Sequence, residues 1–511
     1  MIIARLSLSV TRPMSPMLRQ PELCISVNKE EKEPPFRQIV SAIVREVKEG
    51  RLRRGAMLPS TRVLADELCV NRKTVILAYD ELVAQGWLIS HRARGTFVSN
   101  ALPMTRPAEF AFCRPQSPAA PLDLDFWLPS GRKPIDILLP ERGHLMFDDG
   151  APDTRLVPVN ELARAYRRSL INMGRANSLG YGDPRGRLEL RLATSEMLNS
   201  DRGLDTNENM VCQTRGSQMA IFLAARVLTN PGDIAVMESL SYPPAKEAFS
   251  ANNVDVVTVP VEQQGIDIDI LENVCRRKRV KCLYLTPHHQ FPTTVSLSPA
   301  RRVRLLALAE QFGFTIIEDD YDHEFHYLRR PLLPLASAGR WGKVVYIGSL
   351  SKLITPSLRT GYIVGAKNFI DRVSQEILYI DRQGDPATEL AVAHMMKSGE
   401  IRRHAQKVLR VYDDRRHLFS DLLKRHFGEE LDFEVPEGGL AFWVRFPANS
   451  QIERLVANAA SRRLKVLPGS AYSISGDLSF GLRLGFASLN DRELSDAVSR
   501  LAASWRDSKH S

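Results

Sequence analysis

The sequence predicts a multidomain protein in which a small winged helix-turn-helix domain precedes a larger α/β domain. The chain has 511 residues, which is too long for one hydrophobic core. Residues 31–99 carry three short helical patterns and two strand patterns, whereas strands and helices alternate from about residue 147 onward. A proline-rich stretch separates these regions. We therefore expect at least two folded domains.

The composition is that of a soluble globular protein, with 44% hydrophobic and 25% charged residues. No apolar run approaches the roughly 18 residues that a membrane span requires. Residues 1–30 lack a leader-peptide cleavage pattern and predict a disordered extension. The 6 cysteines form no Cys-x-x-Cys pair, so we expect neither a disulfide framework nor a cysteine metal site. These features favour a cytoplasmic protein.

The N-terminal region has the order of elements of a helix-turn-helix. Apolar residues recur at helical spacing from Phe36 to Val47 and stop before Gly50. Ser60 can cap a second short helix, and a break at 70–71 precedes a third. The apolar residues that this pattern predicts to face inward in the third helix are Val75, Ile76, Tyr79, Leu82 and Val83.

Polar and basic residues follow this pattern where DNA readers need them. The third helix begins with donor side chains over 71–74, the end that a recognition helix presents to the major groove. Two strand-like segments, 86–89 and 95–98, enclose the basic residues 91–94 and predict a wing. The net charge of +10 is only a weak indication of a polyanionic partner, although residues 31–99 carry a net +4. From charge and periodicity alone, a solvated helical domain with ordinary surface arginines is an equal alternative.

The amino-acid sequence of this region resembles the winged helix-turn-helix of GntR-type regulators. The matching segments are Leu58-Pro59-Ser60-Thr61-Arg62, Asn71-Arg72-Lys73-Thr74-Val75, Ala78-Tyr79-Asp80-Glu81-Leu82, Gly86-Trp87-Leu88 and Arg94-Gly95-Thr96-Phe97-Val98. The resemblance implies double-stranded operator DNA as a partner. It also implies contacts to phosphates and base edges from Arg62, Arg72, Lys73, Thr74 and Gly95. Asn71 stands where the family usually has serine.

The rest of the chain predicts a linker over 100–140 and an α/β domain over 141–505. The linker is rich in proline and has no periodicity. Beyond it, the alternation of strands and helices predicts a mostly parallel sheet covered by helices. The predicted strands are Ile234–Glu238, Val254–Val261, Val280–Thr286, Thr315–Asp319 and Val344–Ser349, with helices over Met219–Leu228 and Arg301–Phe312.

Lys352 is the strongest single indication of chemistry. It ends the stretch 348–352 directly after an apolar strand, and Arg359 follows it. A lysine in this position can form a Schiff base with pyridoxal 5'-phosphate (PLP), while Ser349 and Arg359 can bind the phosphate. Ser349-x-x-Lys352 also matches the nucleophile motif of penicillin-binding proteins, but the chain has neither Ser-Asp-Asn nor Lys-Thr-Gly.

Further residues fit the same ligand, although each has an ordinary structural interpretation by itself. At residues 216–218 a loop leads into a helix, and the backbone N–H groups at this helix start can bind a phosphate. Asp319 ends a strand and can hold a protonated ring nitrogen, and Tyr321 lies two residues on. Arg483 is a cation on an apolar strand, either exposed at an edge or placed for a carboxylate. The acidic and histidine residues over 319–326 lack metal-site spacing, so no metal is expected.

Together these motifs resemble the fold-type I, aspartate-aminotransferase-like PLP proteins over about residues 145–505, which have a large and a small subdomain. The resemblance implies that Lys352 is the Schiff-base lysine and that Asp319 pairs with the pyridinium nitrogen. The other implied roles are a donor to O3′ (Tyr321), a ring-stacking residue (Tyr242), a phosphate cup (Gly216, Ser217, Gln218, Ser349, Arg359), a carboxylate binder (Arg483) and a contact from the neighbouring subunit (Tyr181).

The order of the two regions resembles the MocR-type regulators, which fuse a GntR reader to an aminotransferase-like domain. Phe291 stands where many aminotransferases have asparagine, and Thr294 where glycine is usual, which argues against fast transamination. The resemblance implies a homodimeric regulator that senses an amino acid or amine effector through PLP. A PLP-dependent aminotransferase with an accessory DNA-binding domain is the alternative.

Overall fold

The computed structural model describes residues 25–28, 33–91, 94–102, 138–327, 332–339, 341–448, 450–476 and 479–509. These residues fall into two compact units, one within residues 1–130 and one within residues 131–511. Most of the predicted extension over 1–30 and most of the predicted linker over 100–140 lie outside the described residues.

The N-terminal unit is a three-helix domain with a two-stranded antiparallel sheet. Its elements are α1 (Pro35–Lys48), α2 (Thr61–Glu67), α3 (Arg72–Ala84), β1 (Leu88–His91) and β2 (Gly95–Val98). The Ser60 hydroxyl caps α2 by accepting a hydrogen bond from the Val63 amide at 3.3 Å. The Asn71 side chain caps α3 in the same way, accepting from the Lys73 amide at 2.9 Å. The predicted break between these helices is therefore the capped start of α3.

Only one face of α3 is buried in the core of this unit. Tyr79, Val75 and Leu82 are buried, and the Tyr79 hydroxyl donates to the Pro59 carbonyl at 2.9 Å. The prediction that Ile76 and Val83 face inward was wrong, since they are 36% and 38% exposed. Each of them is displaced by about 100° around the helix from the buried stripe, so they fall on its flank.

The N-terminal unit also begins earlier than predicted. Ile25 and Val27 pack against its core, and the Asn28 amide donates to Gln38 Oε1 at 2.8 Å. Gln38 Nε2 donates back to the Asn28 carbonyl at 2.9 Å. Residues 25–28 are therefore part of the folded unit and not of a disordered extension, because their alternating apolar side chains find a hydrophobic surface.

The larger unit alternates strands and helices, as predicted. Its strands are β3 (Leu145–Met146), β4 (Val211–Thr214), β5 (Ile234–Glu238), β6 (Asp255–Val259), β7 (Val261–Glu262), β8 (Gly265–Ile266), β9 (Val280–Leu285), β10 (Thr315–Asp320), β11 (Val344–Ser349), β12 (Gly361–Val364), β13 (Asp432–Phe433), β14 (Ala441–Arg445), β15 (Leu464–Lys465) and β16 (Gly481–Gly485). Its helices are α4 (Val159–Arg175), α5 (Leu188–Arg202), α6 (Gly216–Leu228), α7 (Pro243–Ala251), α8 (Ile268–Arg277), α9 (Pro299–Phe312), α10 (Lys367–Ile380), α11 (Pro386–Lys397), α12 (Glu400–Phe427), α13 (Ile452–Ser461) and α14 (Asp491–Lys509).

A seven-stranded sheet in the order β4-β12-β11-β10-β9-β5-β6 forms the large subdomain. All neighbouring strands are parallel except β12, which is antiparallel to both β11 and β4. Apolar side chains from the two faces of the sheet enter two hydrophobic clusters beneath the covering helices. The carboxyl ends of β9, β10 and β11 consequently meet at one edge, where ligands bind in open α/β sheets.

The small subdomain has its own core around the three-stranded antiparallel sheet β13-β14-β16. Helices α12, α13 and α14 cover this sheet, and α14 continues to Lys509, beyond the predicted boundary at 505. The short strand β3 pairs with β15, which joins the start of the unit to the small subdomain.

None of the helices in the described part of the chain combines the length and the apolar composition that a membrane span needs.

Candidate functional site

Lys352 lies at the carboxyl edge of the large sheet, three residues after β11 ends. Its Nζ is 4.4 Å from the centroid of the ring of Tyr321, the first residue after β10. Lys352 is partly buried. The surrounding protein lowers the pKa of its amine by excluding water, although the charges of Asp149 and Asp322 oppose this effect. A lowered pKa favours the neutral, nucleophilic amine.

Asp319 presents one free carboxylate oxygen in the interior. The Tyr284 hydroxyl donates to Asp319 Oδ2 at 2.8 Å, whereas Oδ1 is buried and has no hydrogen-bond partner. Burial raises the pKa of Asp319 from 3.8 to about 7, against the hydrogen bond from Tyr284 and the charge of Lys352. An unsatisfied buried oxygen is costly, which suggests a ligand donor that completes it.

Arg483 is enclosed and not exposed at a sheet edge, which removes one of the two interpretations of its position. Only 1% of its surface is accessible. Its Nε donates to the Asp149 carbonyl and its Nη1 to the Pro292 carbonyl, both at 2.8 Å, while Nη2 lies 3.4 Å from the Tyr321 hydroxyl. The guanidinium also lies 4.5 Å from the Phe291 ring centroid. β16 is an edge strand, but the loop after β9 that contains Pro292 covers the Arg483 side chain.

Aromatic side chains surround the same position. Tyr242 contacts Phe291 edge-on with ring centroids 5.3 Å apart, and Phe291 meets Tyr321 at 6.2 Å. Thr294, in the loop after Phe291, has φ +63°, a left-handed conformation that favours glycine. This backbone conformation accounts for the usual glycine at that position, and threonine adopts it here despite its β-branched side chain.

The predicted phosphate-binding residues meet around the start of α6. Ser349, Gly361 and Thr214 are neighbours across β11, β12 and β4, so the loop after β11 lies beside Gly216. Gly216 has φ +76°, and a Cβ there would lie 2.7 Å from Arg359 Nη2. A side chain at this position would therefore collide with the guanidinium.

The other members of this predicted cup have defined partners. Arg359 is exposed and donates from Nη2 to the Arg215 carbonyl at 3.0 Å. The Ser349 hydroxyl accepts from the Ser351 amide at 3.1 Å. Gln218 donates to the Pro244 carbonyl at 3.0 Å, and its Oε1 is buried without a hydrogen-bond partner. Ser217, partly buried, follows Gly216 at the N-terminus of α6.

Tyr181 lies apart from these residues in the described part of the chain. It is 78% exposed, and the Arg382 guanidinium lies 4.5 Å from its ring centroid. The adjacent Gly182 amide donates to Gln383 Oε1. Within one chain Tyr181 therefore contacts the end of α10 and not Lys352.

The predicted DNA-contacting residues lie at the N-termini of α2 and α3 and on the wing. Arg62, Asn71, Arg72 and Lys73 are exposed, whereas Thr74 is partly buried. Arg72 Nε donates to Thr61 Oγ1 at 3.4 Å. Exposed Gly95 begins β2 with φ +100°, and a Cβ there would lie 2.9 Å from the Met57 side chain.

Several residues of the site were not predicted from the sequence. Tyr284 belongs to a predicted apolar strand with no motif of its own, and Asp149 has no motif around it. His289 Nδ1 lies 2.8 Å from Asp322 Oδ1, and its carbonyl accepts from the Tyr321 hydroxyl at 3.0 Å. A tyrosine in a predominantly apolar strand was the one available signal, because buried hydroxyls nearly always have a partner.

Two features of the site show that its residues fit PLP: an unpaired carboxylate oxygen and an open space beside a guanidinium. The free Asp319 Oδ1 faces no protein donor, so a pyridinium N–H would complete it. Gly216 leaves the space beside Arg359 clear. Among the described residues, no group of three or more His, Cys, Asp or Glu is arranged to hold a metal ion.

Comparison with known proteins gives a consistent result for both units. The family "Aminotransferase class I and II" matches residues 146–501, and "Bacterial regulatory proteins, gntR family" matches residues 35–98. The "Probable rhizopine catabolism regulatory protein MocR" of Rhizobium meliloti is 27% identical over 472 residues, which cover 92% of this chain and 94% of that protein. A "2-aminoadipate transaminase" of Thermus thermophilus is 31% identical over 363 residues, covering 70% of this chain and 89% of that protein.

Solved structures resemble the larger unit. The crystal structure of LysN, an alpha-aminoadipate aminotransferase from Thermus thermophilus, has a TM-score of 0.67 and 28% sequence identity. The match covers 72% of this chain and 93% of that chain. The prediction of a winged helix-turn-helix joined to a fold-type I domain is confirmed by these findings.

Proposed function

The chain belongs to the aminotransferase class I and II family and joins it to a GntR domain in the MocR-type arrangement, and we propose that it regulates transcription in response to an amine. In this proposal, an amino acid or amine effector binds through PLP held at Lys352. The observation that carries the proposal is the convergence of Lys352, the free Asp319 oxygen and the enclosed Arg483 in a chain that also has a DNA reader.

PLP is the family's cofactor, and the residues named above fit it. Asp319 would hold the pyridinium nitrogen, Tyr242 and Tyr321 would flank the ring and O3′, and Lys352 would attach the aldehyde. Gly216, Ser217, Gln218, Ser349 and Arg359 would bind the phosphate. When bound, PLP supplies an aldehyde that reacts with amines and a ring that withdraws electrons.

Lys352 and Arg483 would recognise the amine and the carboxylate of the effector. With its lowered pKa, the Lys352 amine can exchange a proton at Nζ with an incoming amine. A carboxylate that binds the Arg483 guanidinium would compete for its N–H donors with the Asp149 and Pro292 carbonyls, which accept from Nε and Nη1. Arg483 is on β16 of the small subdomain, whereas Pro292 follows β9 of the large one. Effector binding would therefore change the contact between the subdomains, which is a two-state element that a regulator can use.

A homodimer is part of the proposal. Near the end of α10 and the 179–181 loop, large apolar side chains are unusually accessible, with Tyr379 82%, Tyr181 78% and Leu179 63% exposed. Such exposure in a folded unit indicates a protein contact surface. We assign a second copy to it, with Tyr181 reaching the partner's cofactor site as the family resemblance implies.

DNA binding would be carried by the N-terminal unit. A double-stranded operator would be contacted from α2, α3 and the wing, by Arg62, Asn71, Arg72, Lys73, Thr74 and Gly95. Asn71 already accepts a backbone hydrogen bond as the cap of α3, so its side-chain amide nitrogen is the group left for DNA. A DNA-binding regulator of this kind acts in the cytoplasm, where we place the protein.

A metabolic aminotransferase with an accessory DNA-binding domain is the second candidate. The lysine, aspartate and arginine of the site are all present, and half-transamination is compatible with them. The Phe291 and Thr294 loop and the complete DNA reader favour the regulator.

The deciding experiment follows the visible spectrum and the operator footprint together while amino acids are titrated into the dimer. Borohydride reduction and peptide mapping should find PLP on Lys352, and Lys352→Ala should lose it.

Effector binding should shift operator affinity by about 1–3 kcal/mol, and operator binding should shift effector affinity by the same amount. Asp319→Ala and Arg483→Ala should weaken this coupling while leaving effector-free DNA binding intact. Rapid multiple turnover with a footprint indifferent to every amine would establish the enzyme instead.

A further inference from the structure

We propose that Tyr284 is a positioning residue for the cofactor: its hydroxyl holds one oxygen of Asp319 so that the other is directed at the pyridinium nitrogen of PLP. This inference rests on the proposed function and deepens it. None of the motifs that identify the site includes Tyr284, and the contact joins two residues that are 35 positions apart in the sequence.

The geometry of the sheet makes this contact specific. Tyr284 lies on β9 and is paired with Ile317 of β10, two residues before Asp319. Paired residues of neighbouring strands, and residues two apart on one strand, share a face of the sheet. The fully buried Tyr284 ring therefore extends along that face, and its hydroxyl meets Asp319 Oδ2 at 2.8 Å.

A carboxylate held by one oxygen has a defined orientation for the other. The hydrogen bond from Tyr284 also stabilises the charged form of Asp319, which burial disfavours. Loss of the hydroxyl should therefore raise the pKa of Asp319 above about 7 and leave less carboxylate to pair with a pyridinium at neutral pH. The titratable groups that face Asp319 or Tyr284 are Tyr242, Asp320, Tyr321, Asp322 and Lys352.

The neighbouring residue provides a matched control. Tyr346, on β11, donates to Asp320 Oδ2 at 2.7 Å, so it is also a buried tyrosine bound to an aspartate of β10. Asp320 differs from Asp319 because Arg202 Nη2 lies 2.5 Å from the same oxygen. Removing the Tyr346 hydroxyl costs an equivalent hydrogen bond but leaves Asp319 unchanged.

The test measures PLP affinity of the full-length dimer between about pH 7 and pH 9 for wild type, Tyr284→Phe and Tyr346→Phe. If one lost hydrogen bond raises the pKa of Asp319 by about one unit, Tyr284→Phe should weaken PLP about fivefold at pH 7 and less than about twofold at pH 9. Ionisation of PLP itself and of Lys352 affects all three proteins alike and cancels in the ratios. Tyr346→Phe should give a ratio near one at both pH values.

Asp319→Ala, which leaves no side-chain oxygen for Tyr284 to hold, supplies an independent check. In that background Tyr284→Phe should weaken PLP by less than about twofold at pH 7, because the carboxylate on which it acts is gone. A Tyr284→Phe effect that persists at full size in the Asp319→Ala background, or one shared by Tyr346→Phe, would show a merely structural tyrosine and overturn the inference alone. Wild-type protein that binds no PLP would overturn the proposed function as well.

Discussion

Replacing Asp319 by asparagine should stabilise the PLP-free protein, although the same change removes the partner of the cofactor. Burial raises the pKa of Asp319 from 3.8 to about 7. The folded state therefore keeps a proton that the unfolded chain has already lost, and stability falls as the pH rises from about 4 to 7. Asparagine cannot ionise, and its carbonyl can still accept the hydrogen bond from Tyr284.

The size of the effect follows from the shift in pKa. A shift of about three units corresponds to about 4 kcal/mol, at about 1.4 kcal/mol per unit. The stability difference between Asp319→Asn and wild type should grow by about 1.4 kcal/mol per pH unit up to pH 7 and be constant above it, a gain of roughly 3 kcal/mol between pH 5 and pH 8. For a domain of roughly 360 residues, 4 kcal/mol corresponds to about 5 °C in Tm.

The assay is urea and thermal unfolding of PLP-free protein at a series of pH values, with Asp320→Asn as the control. Burial alone would raise the pKa of Asp320, but the Arg202 charge holds it well below its usual range. Asp320→Asn should therefore destabilise the protein at neutral pH, by about 3–5 kcal/mol for a broken buried ion pair, and the loss should shrink in acid. The raised pKa of Asp319 is refuted if Asp319→Asn is no more stable than wild type at pH 8, or if the difference does not depend on pH.

Three further predictions concern the other residues of the two units. Arg72→Ala should weaken operator binding by about 1–3 kcal/mol, and gel shifts on base-substituted operators should show relaxed specificity at one position, which a pure phosphate contact would not give. Asn71→Ala should destabilise α3 by about 1 kcal/mol, seen as faster amide hydrogen exchange in its first turns, and Asn71→Ser should not. Gly216→Ala should lower PLP affinity, because the new Cβ meets the Arg359 guanidinium. Gly232→Ala, at φ +83° with no atom within 4 Å of its Cβ, should cost a similar 1–2 kcal/mol of backbone strain yet bind PLP normally.

Local signals in the sequence were enough for the element types and for much of the site. Strands β5 and β11 have the predicted bounds, and α9 lies between the Ser298 cap and the left-handed Gly313, because caps and apolar runs act over a few residues. Lys352 and Asp319 could be proposed because each closely follows or ends an apolar strand. Their roles stay predictions, although the structure brings them to one edge of the sheet.

The sequence was less informative where an element is short or its direction depends on distant partners. The short strands β4 and β12 had no pattern of their own to predict them, and the antiparallel direction of β12 depends on its neighbours in the sheet. The partial burial of Ile25 and Val27 and the exposure of Ile76 and Val83 likewise depend on which surface the rest of the domain offers.

The sequence by itself determined the order of the two units, the family of each and the candidate lysine, aspartate and arginine, because these depend on residue types at short spacings. Only the tertiary structure decided that Tyr284 holds Asp319 and that the carbonyls of Asp149 and Pro292 enclose Arg483. Those contacts join residues 35, 334 and 191 positions apart. No local pattern encodes such contacts, because they form only when the sheet sets its strand order and the two subdomains close around the same edge.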